Sequence, residues 1–109
     1  MASLEEKVLA TSKSIAVDGS SDTWDALNFT CVEVEAVWSD ADAADGTLTL
    51  MRGLSSSSMS AHTTATTVGA ASGVARWTIE PFGGRFLRVD IDKGSNATGR
   101  VTIRAVGKP

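Results

Sequence analysis

The sequence predicts an all-β fold: an antiparallel β-sandwich, jelly-roll-like or immunoglobulin-like, with a short N-terminal arm. Three observations lead to this prediction. Short runs of alternating apolar and polar residues are separated by Gly, Asp, Asn and Ser, which is typical of half-buried strands joined by turns. No stretch longer than two turns shows a helical period. The 109 residues suit one domain and are too few for two ordinary cores.

Residues 1–13 are predicted to form the N-terminal arm, and residues 14–109 the sandwich domain. Terminal segments become ordered only when something holds them, so we expect an arm that orders on a neighbouring surface. Leu4, Val8 and Leu9 are its candidate partner-binding residues. A short helix is the alternative, since Ser3 and Glu6 have the spacing of a capping box. The segment lacks the apolar stretch of a signal peptide, and no run approaches a membrane span, so we expect a soluble protein made in a cytoplasm.

Two strands are expected in the first half of the sandwich domain. Residues 14–18 are a weak candidate, and residues 29–38 are a strong one with glutamates on one face. The apolar face of the strong candidate consists of Val32, Val34, Ala36 and Trp38. Phe29, Cys31 and Val37 interrupt the polar face, so both faces are expected to be partly covered.

Two further strands are expected in the middle of the chain. Residues 47–51 place Leu48 and Leu50 inward, and residues 74–79 place Ala75, Trp77 and Ile79 together. Residues 54–72 contain four consecutive serines followed by threonines, which predicts a mobile loop running into an edge strand.

The last third predicts a β-hairpin. Residues 86–92 place Leu87, Val89 and Ile91 on one face, and residues 100–105 repeat the pattern with Val101, Ile103 and Ala105. The turn-forming residues 93–99 lie between them, so acids of the first strand are expected to pair with arginines of the second.

Composition predicts a thin core and an oligomer. Hydrophobic residues make up 42% of the chain, but 15 of them are alanines. Residues 1–51 carry ten acids and two bases, whereas residues 52–109 carry three acids and eight bases. These halves are expected to attract each other, either between strands of one sheet or between subunits. The pI of about 5.0 argues against nucleic-acid binding.

The sequence offers little for catalysis, and no catalytic residue or cofactor is assigned. The single histidine, His62, is expected in an exposed loop, and the single cysteine, Cys31, as a buried apolar residue. Residues 40–46 contain three aspartates before a glycine, which indicates either a solvated turn or a Ca²⁺ loop that departs from the EF-hand spacing. The pair Gly83-Gly84 is expected to form a hairpin turn rather than a phosphate site.

The three tryptophans leave a sugar-binding alternative open. Trp38 and Trp77 share the apolar faces of their strands and are expected in the core. Trp24 lies between polar residues, so it is the one ring expected to be exposed and is a further candidate for partner binding.

Three segments carry a resemblance to a known class of protein. They are DTWDA at residues 22–26, WSD at 38–40 leading into DGTLTL at 45–50, and GRFLRV at 84–89 followed by KGSNATG at 93–99. Together they resemble small β-sandwich virion structural proteins of tailed bacteriophages, of the capsid decoration or cement type. The resemblance covers roughly residues 20–106 and is one of layout, without a catalytic motif.

The resemblance implies a non-enzymatic role in the virion. Such a protein sits on the capsid, often as a homotrimer, and stabilises the head by binding between capsomers. Its expected partner is the major capsid protein or another virion protein, with no nucleic acid, membrane or cofactor, and its expected location is the virion after synthesis in the host cytoplasm. A carbohydrate-binding or receptor-binding module of a phage fibre or tail is the alternative.

Overall fold

The computed structural model describes residues 4–80 and 85–109. Ten β-strands cover this part of the chain, and none of it is helical. In chain order they are β1 (Glu5–Ser14), β2 (Gly19–Ser20), β3 (Trp24–Asp25), β4 (Cys31–Ser39), β5 (Gly46–Ser55), β6 (Ser58–Ala61), β7 (Thr66–Val68), β8 (Gly73–Ile79), β9 (Phe86–Asp92) and β10 (Arg100–Lys108).

The strands form two antiparallel sheets that pack face to face. Sheet A has the order β1-β10-β4-β8, and sheet B has the order β2-β9-β5-β6. In sheet B, β3 also pairs with β9 and β7 also pairs with β5, so β2 with β3 and β6 with β7 are two interrupted edge strands. Counted this way, eight strands run in the order 1-8-3-6 in one sheet and 2-7-4-5 in the other. This is the jelly-roll order, which decides between the two sandwich types expected from the sequence.

The core lies between the sheets and is built from the inward residues of each alternating run. The predicted apolar faces of β4, β5, β8, β9 and β10 are all buried there, which confirms the period-two pattern as the signal for the core. The largest side chains with almost no exposure are Leu9, Ile15, Leu48, Leu50, Leu87 and Ile103.

The predicted hairpin of β9 and β10 is wrong. β9 pairs with β5 in sheet B, while β10 lies between β1 and β4 in sheet A. Residues 93–99 therefore cross from one sheet to the other, and the apolar faces of the two strands meet across the core. Alternation shows which face of a strand is buried, but it does not show which strand is its hydrogen-bonding neighbour.

The N-terminal segment forms part of sheet A. From Glu5 onward it is strand β1, which pairs with β10. Leu9 belongs to the core of its own chain and is only 1% exposed. The prediction of a weak strand at residues 14–18 is wrong, because β1 ends at Ser14 and β2 begins at Gly19.

The serine-rich stretch is more regular than the sequence indicates. β5 continues to Ser55, and β6 returns from Ser58, so the serine run forms the turn of a hairpin. β7 then supplies the short edge strand that the threonines predict.

Candidate interaction surface

The outer face of sheet A is the most apolar exposed strand surface in the described part of the chain. We call it the A face. Its register aligns Val8, Arg104, Glu35 and Arg76 in one row across the four strands. An adjacent row contains Thr102, Val37 and Val74. Val8, Val37 and Val74 are each between 43% and 49% exposed, so three valines lie in water among charged neighbours. Such a surface fits contact with another molecule.

Charges of opposite sign alternate across the A face. Arg76 Nε lies 2.8 Å from Glu35 Oε2, and Lys108 Nζ lies 3.3 Å from Glu33 Oε1. Both pairs join an acid of the first half of the chain to a base of the second half. These two pairs match opposite charges of the two halves between strands of one sheet, which is one of the two interpretations that the sequence leaves open. Arg104 forms no ion pair with any residue of 4–80 or 85–109.

A shallow groove of roughly 460 Å³ runs along this face. Glu33 and Glu35 of β4 lie along its middle, and Arg104 of β10 and Arg76 of β8 contribute cationic groups on either side. The groove is open and both acids have ionic partners or cationic neighbours, so it is suited to a polar segment of another protein rather than to chemistry on a small molecule.

The outer face of sheet B differs in chemistry. Its outward positions are mainly polar, including Thr47, Thr49 and Asp90. Arg88 and Asp90 form an ion pair of 2.7 Å, and Ser20 also donates to Asp90. Ser20, Arg88 and Asp90 are therefore bonded to one another within this face.

Two loops at one end of the sandwich hold each other by hydrogen bonds. Asn96 is only 3% exposed and lies between them. Its Oδ1 accepts from the backbone N–H groups of Asp42 and Ala43 at 3.1 and 2.9 Å, and its Nδ2 donates to the carbonyl of Lys93 at 3.0 Å. All three contacts are reasonable hydrogen bonds, so this buried amide is well satisfied. The sequence does not indicate this role, because asparagine in a turn usually indicates only local backbone geometry.

The aspartates of residues 40–46 add hydrogen bonds between the same two loops, and we call this whole set of contacts the lock. Asp42 Oδ1 accepts from the N–H groups of Ala97 and Thr98, and Asp45 accepts from both the N–H and the hydroxyl of Ser95. The hydrogen bonds from Ser95 lower the pKa of the Asp45 carboxyl. No group of three or more potential metal ligands converges in residues 4–80 and 85–109. The carboxylates of Asp42 and Asp45 thus serve to join two loops.

The prediction of an exposed Trp24 is wrong. Trp24 is 5% exposed, and its ring packs against Phe29 with centroids 5.5 Å apart. Trp38 and Trp77 are also buried, as expected, and Trp38 Nε1 donates to the carbonyl of Ala70 at 3.0 Å. No tryptophan therefore offers a free ring for stacking on a sugar.

The two residues considered for nucleophilic chemistry lie on different sheets. Cys31 begins β4 in sheet A, and burial raises the pKa of its thiol, with the carboxylate of Glu80 adding to the shift. His62 follows β6 in sheet B and is half-buried rather than exposed as predicted. Its Nδ1 is buried and has no hydrogen-bond partner among the described residues, and burial lowers its pKa. The two residues form no dyad.

The four predicted partner-binding residues divide into two pairs. Leu4 and Val8 are exposed beside β10 at the edge of sheet A, where contact with a partner is open to them. Leu9 and Trp24 are buried in the core, so neither is available at the surface of this fold. The predicted turn at Gly83-Gly84 lies outside the described residues, although the flanking strands β8 and β9 belong to different sheets and so form no hairpin.

Sequence comparison gives no relative: no protein-family model matches the chain, and no curated protein is similar to it. Known structures share its fold. The SPBc2 prophage-derived protein YomS superposes with a TM-score of 0.64 at 10% identity, over 96% of this chain and 92% of that one. A structure described as Bacillus endospore appendages, which form disulfide-linked pili, gives 0.53 at 12% identity, over 98% and 88%. At these identities the likeness establishes the fold alone. No helix in the described residues could span a membrane.

Proposed function

We propose that this chain is a non-enzymatic structural protein of a bacteriophage virion, of the capsid decoration or cement type. It binds the head between capsomers through the A face, and the major capsid protein or another virion protein is its partner. The observation that carries the proposal is the A face itself, where exposed valines and alternating charges lie on a four-stranded surface. The jelly roll supports the proposal by analogy, since viral capsid domains use this fold. The prophage source of YomS points in the same direction.

The size of the A face fits a protein that works in many copies. Four strands spaced ~4.8 Å apart and seven residues long give a plane of roughly 19 by 23 Å, or ~440 Å². A stable interface buries about 800 Å² on each partner. One copy on one site is therefore expected to bind weakly. A lattice that presents adjacent sites raises the effective concentration and compensates for the small area.

The chemistry of the A face also explains what kind of contact it makes. Valines surrounded by charged side chains match the composition of an interface with a small apolar centre and a polar rim. The paired charges give orientation and selectivity more than affinity, because exposed ion pairs contribute little energy. The lectin function that jelly rolls also perform gains no support, since all three tryptophans are buried.

The test has two steps. Phage particles produced by the source of this sequence are banded in a density gradient, and the chain is quantified against the major capsid protein by mass spectrometry. Particles made without the chain are then incubated with the purified protein. We expect wild type to rebind and Val37→Asp, on the inner strand β4 of the A face, to lose at least about ten-fold in affinity, which corresponds to ~1.4 kcal/mol.

The control carries the same substitution at another exposed valine. Val17 lies in the bend after β1, away from the A face, and is 62% exposed. Val17→Asp should rebind like wild type. Absence of the chain from banded particles, or equal binding by both variants, would contradict the proposal.

A further inference from the structure

The edges of the two sheets are unequally protected against pairing with another chain. In sheet B the edges consist of short interrupted strands, β2 with β3 and β6 with β7, each of two to four residues. In sheet A, β8 pairs with β4 over seven consecutive residues without a bulge. Short or bulged edges discourage pairing, whereas a long regular edge offers a template for it. Among the described strands, β8 is therefore the edge that is open along its whole length.

The opposite edge of sheet A is open over one half only. β1 pairs regularly with β10 from Glu5 to Val8, and register shifts then follow between Val8 and Ala10 and between Ala10 and Lys13. Ser12 has a φ of 47°, which twists this second half further from a regular strand. The regular half of β1, together with Leu4 before it, is about five residues long. β8 has seven residues, so it is long enough to pair with all of them.

The side chains of these two edges match in one antiparallel alignment. When Glu6 of one copy lies opposite Arg76 of the other, Val8 lies opposite Val74 and Leu4 lies opposite Thr78. Glu6 and Val8 point to the outer side of sheet A, as do Val74 and Arg76. One alignment thus joins a charge pair to a valine pair on the same face, and both kinds of cross-strand pair are favourable.

Pairing of β8 with β8 of a second copy lacks this match. Full antiparallel overlap of Gly73–Ile79 with itself is centred on position 76. Arg76 would then face Arg76 of the second copy, and like charges directly opposite each other are destabilising. The charges therefore favour contact between unlike edges.

The strand directions also permit addition of β1 to β8. All pairings in sheet A are antiparallel and its four strands alternate in direction, so β1 of a second copy in the same orientation runs antiparallel to β8. Sheet B is also four strands wide if β2 with β3 and β6 with β7 are each counted as one strand. The two sheets therefore have the same width across their strands. Copies can follow one another in line without turning over.

We propose that β1 of one copy adds to β8 of a second copy, so that sheet A continues head to tail from subunit to subunit. This contact goes beyond the proposed function, because it needs no shell protein and uses the edges of sheet A rather than its face. Each copy adds four strands to the sheet. A twist of about 20–25° per strand therefore rotates each added copy by ~80–100°, and a strand spacing of ~4.8 Å moves it forward by ~19 Å. Such a screw operation does not close on itself, so the assembly is open and grows with concentration.

Charge reversal at each edge, singly and in mixture, tests the contact. Light scattering and sedimentation measure the mass of the purified chain from about 1 µM to about 1 mM, and electron microscopy shows the shape of the assemblies. Glu6→Arg and Arg76→Glu each replace the opposite-charge pair by a like-charge pair. Each variant alone should associate between about 2-fold and 30-fold more weakly than wild type at low salt.

An equimolar mixture of the two variants separates this contact from a general effect of charge. The arginine introduced at position 6 of one variant meets the glutamate introduced at position 76 of the other, while the remaining edges keep the native pair. The mixture should therefore recover association as an alternating assembly. Asp92→Arg and Lys93→Glu make equal charge changes at exposed positions at the end of β9 in sheet B, away from both edges of sheet A, and should assemble like wild type.

The expected result is a wild-type mass that rises with concentration, weakened single variants and a restored mixture. A wild-type mass that stays fixed, as in a monomer or a closed trimer, would overturn the proposal. So would single variants that assemble like wild type, or a mixture that does not recover. Circular dichroism confirms that each variant is folded before its mass is compared. None of these results depends on binding to particles.

Discussion

Replacement of Asn96 by alanine should destabilise the fold far more than its position in a turn indicates. The side chain is 3% exposed and makes three hydrogen bonds, two accepted from residues 42 and 43 and one donated to residue 93. Each bond contributes about 1 kcal/mol net, and truncation leaves the N–H groups of residues 42 and 43 without their acceptor, while the carbonyl of residue 93 keeps the N–H of residue 96, so we expect a loss of ~2–4 kcal/mol. For a domain of this size, that corresponds to a fall in Tm of roughly 8–16 °C.

Urea denaturation followed by tryptophan fluorescence measures this loss, because the three buried rings report on the folded core. Asn28→Ala is the matched control: Asn28 is the other asparagine of the chain, is exposed, and should tolerate the change within about 0.5 kcal/mol. If Asn96→Ala is as stable as Asn28→Ala, the two loops do not depend on this amide and the assignment of the lock is wrong.

Three further changes test the packing and the buried titratable groups. Gly107→Ala would place a methyl group 2.5 Å from the Phe29 ring and should cost about 1–2 kcal/mol, whereas Gly69→Ala, with nothing within 4 Å, should be neutral by urea denaturation. His62 has a lowered pKa because its ring is partly buried, so the unfolded chain binds more protons and stability should fall as pH drops below ~6.5. His62→Gln should remove that slope between pH 7 and pH 5, and an unchanged slope would show that His62 does not cause it. The buried Cys31 thiol, with its raised pKa, should react with a thiol reagent at pH 8 only slowly until urea unfolds the chain; immediate reaction would contradict its burial.

The inward faces of the strands were predictable because burial leaves a direct record in the sequence. Val32, Val34, Ala36 and Trp38 alternate with glutamates, and the structure buries all four. The pairing of strands leaves no comparable record. β9 and β10 are adjacent in sequence and alternate alike, yet they lie in different sheets, because two inward faces can meet either side by side or across a core.

The surface sites were harder to predict for a different reason. Trp24 has polar neighbours in sequence, but its strand pairs with Leu87 and its ring packs on Phe29, so tertiary contacts decide its burial. The sequence also does not show that Glu6 and Arg76 lie on opposite edges of one sheet, since that depends on the strand order. The charge imbalance between the halves of the chain was visible from the start, and the Arg76–Glu35 pair shows one way in which the fold uses it.

The most direct test of the central claim, that the A face is the working surface, is a cryo-electron microscopy reconstruction of particles saturated with the purified chain. The expected result is density for a jelly roll at sites between capsomers, with the A face and its valines against the shell and sheet B facing outward. Density that contacts the shell through sheet B or the locked loops, or a shell that carries no added density, would contradict the account.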